Sequence, residues 1–181
     1  MSNISVIGAG GWGLALANIF SEKHNIKVWV HSEKSYKLLN ENHRNDNYLK
    51  NIELNKNIFF TMDIKETVND SEIIIIVTPS FAFYEACKNI EPFIKNEQIL
   101  ISATKGLDRK TGKTMSEVAR SVISGDLNIL TLSGPSHAEE TAKGIPTAIV
   151  VGGEKGISES FTTSLISIVK KIFLFNSIFF K

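Results

Sequence analysis

The chain has 181 residues, of which 43% are hydrophobic and 22% charged, and its formal net charge is +1 at pH 7. This length suits one well-buried domain with a short extension rather than two ordinary domains. The near-neutral charge gives no reason to expect nucleic acid or an acidic membrane surface as a partner. Cys87 is the single cysteine, which excludes an internal disulfide and fits a reducing cytoplasm.

Neither end of the chain shows a membrane or export signal. The first predicted strand begins by Ile4, which leaves no room for a secretory signal peptide. The most apolar stretch, residues 172–180, is interrupted by Asn176 and Ser177 and is too short to cross a bilayer. We therefore expect a soluble cytoplasmic protein without a membrane partner.

Strand-like and helix-like segments alternate along the chain, which predicts a parallel sheet covered by helices. The run Ile73–Val77 has five consecutive β-branched residues, typical of a strand buried on both faces. The predicted helices cover about 14–23, 34–42, 64–68, 81–90, 114–123 and 137–143, with Asp63 and the Thr114–Glu117 pair as N-terminal caps. The predicted strands are 4–7, 26–30, 58–61, 73–77, 99–102, 129–132 and 147–151, of which we expect the last to end the sheet.

A glycine-rich loop, Gly8-Ala9-Gly10-Gly11-Trp12-Gly13, lies between the first strand and the first helix. Gly8 permits a tight turn, Gly10 lets the backbone approach a pyrophosphate, and Gly13 lets the helix pack closely on the strand. Trp12 is either a packing residue or a shield for one side of a cofactor. The loop in this setting predicts a dinucleotide ligand and an α/β fold of the Rossmann type, a doubly wound, mostly parallel sheet with helices on both faces.

The residues after the second strand bear on which dinucleotide is bound. NAD-binding domains usually place an acidic residue there for the ribose hydroxyls. This chain has His31, Ser32, Glu33 and Lys34. His31 and Lys34 suit a 2′-phosphate, Glu33 suits a 2′-hydroxyl, and all of them are also compatible with an ordinary exposed loop. The choice between NAD and NADP stays open, with a tendency toward accepting NADP.

Two further segments follow the carboxyl ends of predicted strands, where open α/β sheets bind their ligands. Lys105 follows one strand, and its ammonium group suits a substrate phosphate or carbonyl oxygen. Gly134 and Ser136 follow another strand, and Ser136 either caps the next helix or binds substrate. His137 has no evident carboxylate partner, so we interpret it as a partly exposed helix residue. Cys87 fits the core, and since no Cys/His cluster has ligand spacing, we expect no metal site.

Together these segments resemble the bacterial NAD(P)-dependent glycerol-3-phosphate dehydrogenases over residues 4–152. The resemblance rests on six blocks in the family's order: residues 8–17 (GAGGWGLALA), 28–31 (VWVH), 77–80 (VTPS), 103–107 (ATKGL), 133–140 (SGPSHAEE) and 144–148 (GIPTA).

The resemblance implies interconversion of sn-glycerol 3-phosphate and dihydroxyacetone phosphate by hydride transfer, with NAD or NADP as cofactor, in the supply of glycerophospholipid precursors. With the glycine loop, it assigns cofactor binding to Gly8, Gly10, Gly11, Trp12, Gly13, His31, Tyr48, Lys105 and Ala138. It assigns substrate binding to Lys105, Gly134 and Ser136.

The sequence departs from the family pattern in two places. Gly11 stands where the family usually has serine. The family's all-helical domain, with its proton-accepting lysine, is not matched, so we expect residues 1–153 to form the dinucleotide-binding domain and 154–181 a truncated start of the helical one. The resemblance therefore predicts a cofactor-binding half with weak or no activity alone. The alternative is a non-catalytic nucleotide-binding fragment, and either is compatible with a complementing chain or a homodimer.

Overall fold

The computed structural model describes residues 1–153 in full and the backbone of residues 172–176. Within these ranges there are eight strands: β1 Asn3–Ile7, β2 Asn25–Trp29, β3 Ile58–Thr61, β4 Ile73–Ile76, β5 Ile99–Ser102, β6 Asn128–Ser133, β7 Thr147–Gly152 and β8 Ile172–Asn176. The helices are α1 Gly11–Phe20, α2 Glu33–Asn42, α3 Ile64–Val68, α4 Ser80–Ile90, α5 Met115–Val122 and α6 Ala138–Ala142, with a 3₁₀ turn at Glu91–Phe93.

All eight strands form one sheet in the order β3-β2-β1-β4-β5-β6-β7-β8. The strands from β1 to β6 are parallel to their neighbours, β7 is antiparallel to β6, and β8 is parallel to β7. The chain order reverses between β1 and β4, where α/β sheets open a ligand crevice at the carboxyl ends of their strands. The predicted doubly wound, mostly parallel sheet is therefore confirmed.

The centre of the sheet is buried on both faces, and this explains why the sequence of β4 has no polar alternation. Ile73 and Ile75 belong to the apolar cluster that also contains residues of α1 and α2. Ile74 and Ile76 belong to the opposite cluster, with residues of α3, α4 and α5. Because successive side chains of a strand point to opposite faces, a four-isoleucine strand fills both layers. Helices on both faces follow directly from this arrangement.

The predicted helix caps are present. The Asp63 carboxylate accepts hydrogen bonds from the amides of Lys65 and Glu66. Thr114 and Glu117 form a reciprocal capping box at the start of α5. These local contacts satisfy amides that have no partner inside their own helices.

Two predicted boundaries were wrong. The first helix ends at Phe20 rather than near Lys23, because the chain turns there with the amides of Lys23 and His24 both bonded to the Phe20 carbonyl. The strand at 147–152 does not end the sheet, since β8 pairs with it from Thr147↔Ile172 onward. That pairing joins segments separated by twenty residues or more, and no local signal announces it. Residues 154–171 and 177–181, which make up most of the predicted extension 154–181, lie outside the described part.

Candidate functional site

The glycine loop adopts the close packing that its sequence predicts. Gly8 has a φ of +121°, and a Cβ there would lie 2.8 Å from the Val77 carbonyl oxygen. A Cβ on Gly13 would lie 2.1 Å from the Gly8 carbonyl oxygen, so α1 approaches the loop too closely for a side chain. A Cβ on Gly10, in contrast, would meet no atom within 4 Å. The surface at Gly10 is therefore open to a ligand, beside the amino terminus of α1 with its unpaired amides.

A cleft of about 450 Å³ opens at this loop. One wall is the end of β2 with the start of α2, and the other is the segment after β4 with one face of α4. Its surface is largely apolar with a few polar groups, as is common for sites of small molecules. The lining residues are Gly8, Ala9, Gly10, Trp29, Val30, His31, Ser32, Ser35, Tyr48, Val77, Thr78, Pro79, Phe81, Ala82, Glu85, Ala86 and Asn89.

The structure distinguishes among the residues that the sequence offers as ligands of the cofactor's ribose. His31 is exposed and lines the cleft, with its ring 5.5 Å from that of Trp29. The Glu33 carboxylate instead pairs with Lys37 at 2.8 Å, one turn further along α2. Neither Glu33 nor Lys34 is among the lining residues. The interpretation of Glu33 as a ribose ligand is thus not supported by this geometry.

Lys105 connects two sides of the site. Its Nζ donates a hydrogen bond of 3.0 Å to the Ser136 carbonyl oxygen and lies 5.7 Å from the centre of the Trp12 ring. Trp12 itself is half-buried and packs against the core cluster on the α1 face. Lys105 is an exposed residue three positions after the end of β5, and its ammonium group is held by a carbonyl and a ring while remaining open to solvent.

The turn after β6 is shaped by contacts with β7. Gly134 has a φ of +143°, and a Cβ there would lie 2.7 Å from the Ala148 carbonyl oxygen, so glycine is needed for the fold itself. Ser136 is buried, and its Oγ donates a long hydrogen bond of 3.4 Å to the Gly134 carbonyl. The cap position of α6 is occupied by exposed His137 without a side-chain hydrogen bond, so the structure does not show the first of the two alternatives for Ser136, the helix cap.

Three predicted cofactor residues come together although they are far apart in sequence. A Cβ on Gly11 would lie 3.0 Å from the Tyr48 carbonyl oxygen and 3.6 Å from the Ala138 Cβ. The Tyr48 side chain is 50% exposed and lines the cleft. Glycine at position 11 thus leaves room for the loop around Tyr48 to lie against the start of α1.

Cys87 is a core residue, and the described part of the chain holds no candidate metal site. Cys87 is fully buried in the core, as predicted, and burial raises the pKa of its thiol to about 12. Within the described residues, no group of three or more His, Cys, Asp or Glu side chains is placed to hold a metal ion. In the same part of the chain, no helix is both long and apolar enough to cross a membrane.

Sequence reasoning missed the wall of the cleft that α4 provides. Phe81, Glu85 and Asn89 all line the cleft, and their spacing of four places them on one helix face. Ser35 on α2 was missed in the same way. A helical wheel of residues 80–90 shows this stripe, but it does not show which stripe faces a cavity.

Strand order, glycine loop and cleft define the class: this is a Rossmann-type domain with the architecture of dinucleotide-binding proteins. The family model described as the NAD-dependent glycerol-3-phosphate dehydrogenase N-terminus matches residues 3–170. The chain belongs to this family.

Individual relatives agree with that membership. A glycerol-3-phosphate dehydrogenase [NAD(P)+] of Brachyspira hyodysenteriae is 73% identical over 98% of this chain and 53% of its own length. The enzyme of the same name from Fusobacterium nucleatum is 40% identical over 83% of this chain and 46% of its own length. The crystal structure of glycerol-3-phosphate dehydrogenase from Coxiella burnetii superposes with a TM-score of 0.87, at 27% identity, over 97% of this chain and 54% of that one. The chain spans about half the length of the relatives it matches.

Proposed function

We propose that this chain is the cofactor-binding half of an NAD(P)-dependent oxidoreductase that interconverts sn-glycerol 3-phosphate and dihydroxyacetone phosphate. Beyond the family membership, one observation carries the proposal: the Lys105 ammonium group contacts two parts of the site. It lies over the ring of Trp12, at the glycine loop, and donates a hydrogen bond to the Ser136 carbonyl oxygen, in the turn after β6. A single cation therefore faces both the expected cofactor region and the expected substrate region.

In this proposal the glycine loop holds the pyrophosphate. Gly8 and Gly13 give the loop its shape, and Gly10 leaves the surface open for the phosphate oxygens, which the first amides of α1 bind. Gly11, Tyr48 and Ala138 form a second group of contacts around the same helix end. When bound, the nicotinamide supplies or accepts the hydride.

Lys105 and the turn after β6 form the substrate side. The Lys105 ammonium is a point charge suited to an anionic or carbonyl oxygen, and a ligand oxygen would replace its present bond to the Ser136 carbonyl. Gly134 and Ser136 contribute the adjoining surface. Trp12 keeps the ammonium group over its ring, which limits the positions the flexible lysine can occupy.

We also propose that the cleft accepts NADP as well as NAD. On the β2 side, the polar lining side chains are His31, Ser32, Ser35 and Tyr48, and no carboxylate in the described residues lies among them to repel a 2′-phosphate. Comparison of NADH and NADPH affinities tests this point, and affinities that differ by a thousandfold in favour of NADH would contradict it.

The domain assignment and the partners are further parts of the proposal. We assign residues 1–153 to the dinucleotide-binding domain and 154–181 to an extension from it, and we propose association with a complementing chain or with a second copy. Light scattering of the purified chain, with and without NADH, gives its molar mass in solution and so tests association with a second copy.

The central test is cofactor binding followed by turnover. Trp12 and Trp29 are the two tryptophans of the chain and both lie at the site, so quenching of their fluorescence reports NADH binding. We expect Lys105→Ala to weaken binding about tenfold, as expected for the loss of a charged hydrogen-bond donor. Lys143→Ala, an exposed lysine at the end of α6, serves as the matched control and should bind normally.

Oxidation of NADH with dihydroxyacetone phosphate then separates the two function hypotheses. NADH binding with substrate-dependent oxidation, even if slow, supports the dehydrogenase. Binding without any turnover, also after a complementing helical domain is added, favours the alternative, a nucleotide-binding module. If the chain binds no dinucleotide at all, both are wrong.

A further inference from the structure

We propose that Thr104 is the positioning residue of Lys105: its hydroxyl group anchors the chain so that the lysine side chain points to Trp12 and to the turn after β6. This inference rests on the proposed function, in which Lys105 binds cofactor and substrate. Thr104 itself is only 8% exposed and is not among the residues that line the cleft, so any effect on a ligand passes through its neighbour.

The Thr104 hydroxyl group holds the chain where β5 has already ended. It donates a hydrogen bond of 2.9 Å to the Thr78 carbonyl oxygen, and the Ile76 carbonyl oxygen lies further away, at 3.3 Å. The Ile76 carbonyl accepts from the Ala103 amide at 2.9 Å, as in a parallel ladder. Because the groups that bond one neighbouring strand recur at every second residue, a continued ladder would next join the Lys105 amide to the Thr78 carbonyl. The Thr104 side chain takes over this acceptor and lets the chain turn away from the sheet at Lys105.

The residue after Lys105 fixes the chain from the other side. Gly106 has a φ of +98°, a conformation that residues with a side chain rarely adopt. Within 4 Å, a Cβ there would meet only Ser80, at 3.9 Å, so the backbone conformation rather than a lack of space requires glycine. Lys105 thus projects from a short segment held at both ends, and its Nζ reaches the Ser136 carbonyl oxygen at 3.0 Å.

A fixed starting point matters because the lysine side chain is long and flexible. Its ammonium group is a mobile point charge, and ordering it at a ligand costs conformational entropy. Thr78 also lines the cleft, so the hydrogen bond from Thr104 joins the cleft wall to the segment that carries the lysine. Without this bond the ammonium group spends less time over the Trp12 ring, and a ligand has to order it on binding.

The first test needs no ligand. The chain has two tryptophans, whose indole N–H groups give separate signals in a ¹⁵N-correlated NMR spectrum, and Trp12→Phe assigns them. Thr104→Val keeps the shape of the side chain and removes the hydroxyl. We expect it to shift the Trp12 signal in the same direction as Lys105→Ala, because both variants take the ammonium group away from the ring. Thr104→Ser keeps a hydroxyl and should retain the native signal. An unchanged Trp12 signal in a folded Thr104→Val protein would contradict the proposal.

The second test is a double-mutant cycle on NADH binding, measured by tryptophan quenching. Thr104→Val should weaken binding about fivefold, the usual effect of one lost hydrogen bond, whereas Lys105→Ala weakens it about tenfold. If Thr104 acts through Lys105, the double variant binds about tenfold more weakly than the native chain, as Lys105→Ala does alone. Multiplied effects, about fiftyfold in the double variant, would mean that Thr104 does not act through the lysine.

The matched control is Thr67→Val. Thr67 is fully buried, and its hydroxyl donates a hydrogen bond of 2.7 Å to the Asp63 carbonyl oxygen, but it lies in α3 and does not line the cleft. This variant should lower the urea midpoint, as Thr104→Val does, and leave the Trp12 signal and the NADH affinity unchanged. If it changes both readouts as Thr104→Val does, the effect is one of stability and the positioning role is wrong. If the native chain does not bind NADH, the proposed function fails, and the NMR comparison still decides the role of Thr104.

Discussion

The glycines of the loop between β1 and α1 are needed for different physical reasons. Gly8 and Gly13 are required by the protein's own packing, because a Cβ on either would meet a backbone oxygen at 2.8 or 2.1 Å. Gly10 is not required in this way, because the space beside it is empty. Stability and ligand binding are therefore separable within six residues.

We predict that Gly10→Val abolishes NADH binding, by about a hundredfold or more, because the side chain occupies the path of the phosphates. Gly10 has a φ of −77°, which any residue can adopt, so the free energy of unfolding of this variant should stay within about 1 kcal/mol of the native value. Fluorescence titration measures the first quantity and chemical denaturation the second.

The contrasting variant is Gly13→Ala. Its single methyl group should lower the free energy of unfolding by about 3 kcal/mol, because the Gly8 carbonyl has to move. Unchanged NADH affinity in a folded Gly10→Val protein would show that the loop is not the phosphate site.

Among the elements, the start of β1 and the start of β2 are joined by a buried histidine. The Ser2 amide donates a hydrogen bond of 3.0 Å to Nδ1 of His24, whose side chain is only 7% exposed. Burial, together with the nearby amino terminus and Lys23, lowers the pKa of His24, and the opposing effect of Glu72 is smaller. The neutral ring is thus the form that the folded protein prefers.

This linkage predicts a loss of stability in mild acid. A lowered folded-state pKa means that the unfolded chain binds a proton first, so the contribution of His24 is complete above its unfolded value of about 6.5. It is lost as the pH falls from there through the lower folded-state pKa. Urea denaturation between pH 8 and pH 5 should show this decrease, and His24→Gln should reduce it.

The control for that experiment is His137→Gln, which replaces an exposed histidine. Its pH profile should match that of the native chain. Equal slopes for the native chain and His24→Gln would exclude His24 as the source of the effect.

At the scale of the whole molecule, the fold depends on one sheet with two covered faces. Ile74 and Ile75 are both fully buried, yet they belong to opposite apolar clusters. The domain thus has two core layers that share β4, and neither layer is complete without it.

We therefore predict that Ile74→Ala and Ile75→Ala destabilise the protein to a similar degree, by about 2–5 kcal/mol each. In a sheet with one solvated face, one of two adjacent positions would tolerate the change. Phe59→Ala on edge strand β3, where the side chain is 49% exposed, should cost less. The measurement is chemical denaturation of all three variants, and a near-neutral Ile74→Ala would contradict the two-layer description.

The local sequence determined the secondary structure of this protein and the conformation of its glycine loop. The alternation of elements, the isoleucine strand, the caps at Asp63 and Thr114 and the glycine loop are all encoded within a few residues, because they depend on backbone sterics and short-range hydrogen bonds. Lys105 and Gly134 could be placed at the ligand edge because parallel strands end together.

The tertiary structure alone decided which of these residues meet. It brought Gly11, Tyr48 and Ala138 together, placed Phe81 and Glu85 on the cleft, paired Glu33 with Lys37, and added β8 beside β7. Such contacts join segments distant in sequence or select one of several helix faces, and they depend on how the whole chain packs. The glycine loop by itself therefore predicted a dinucleotide, whereas only the packed structure showed the cleft and the side chains that surround it.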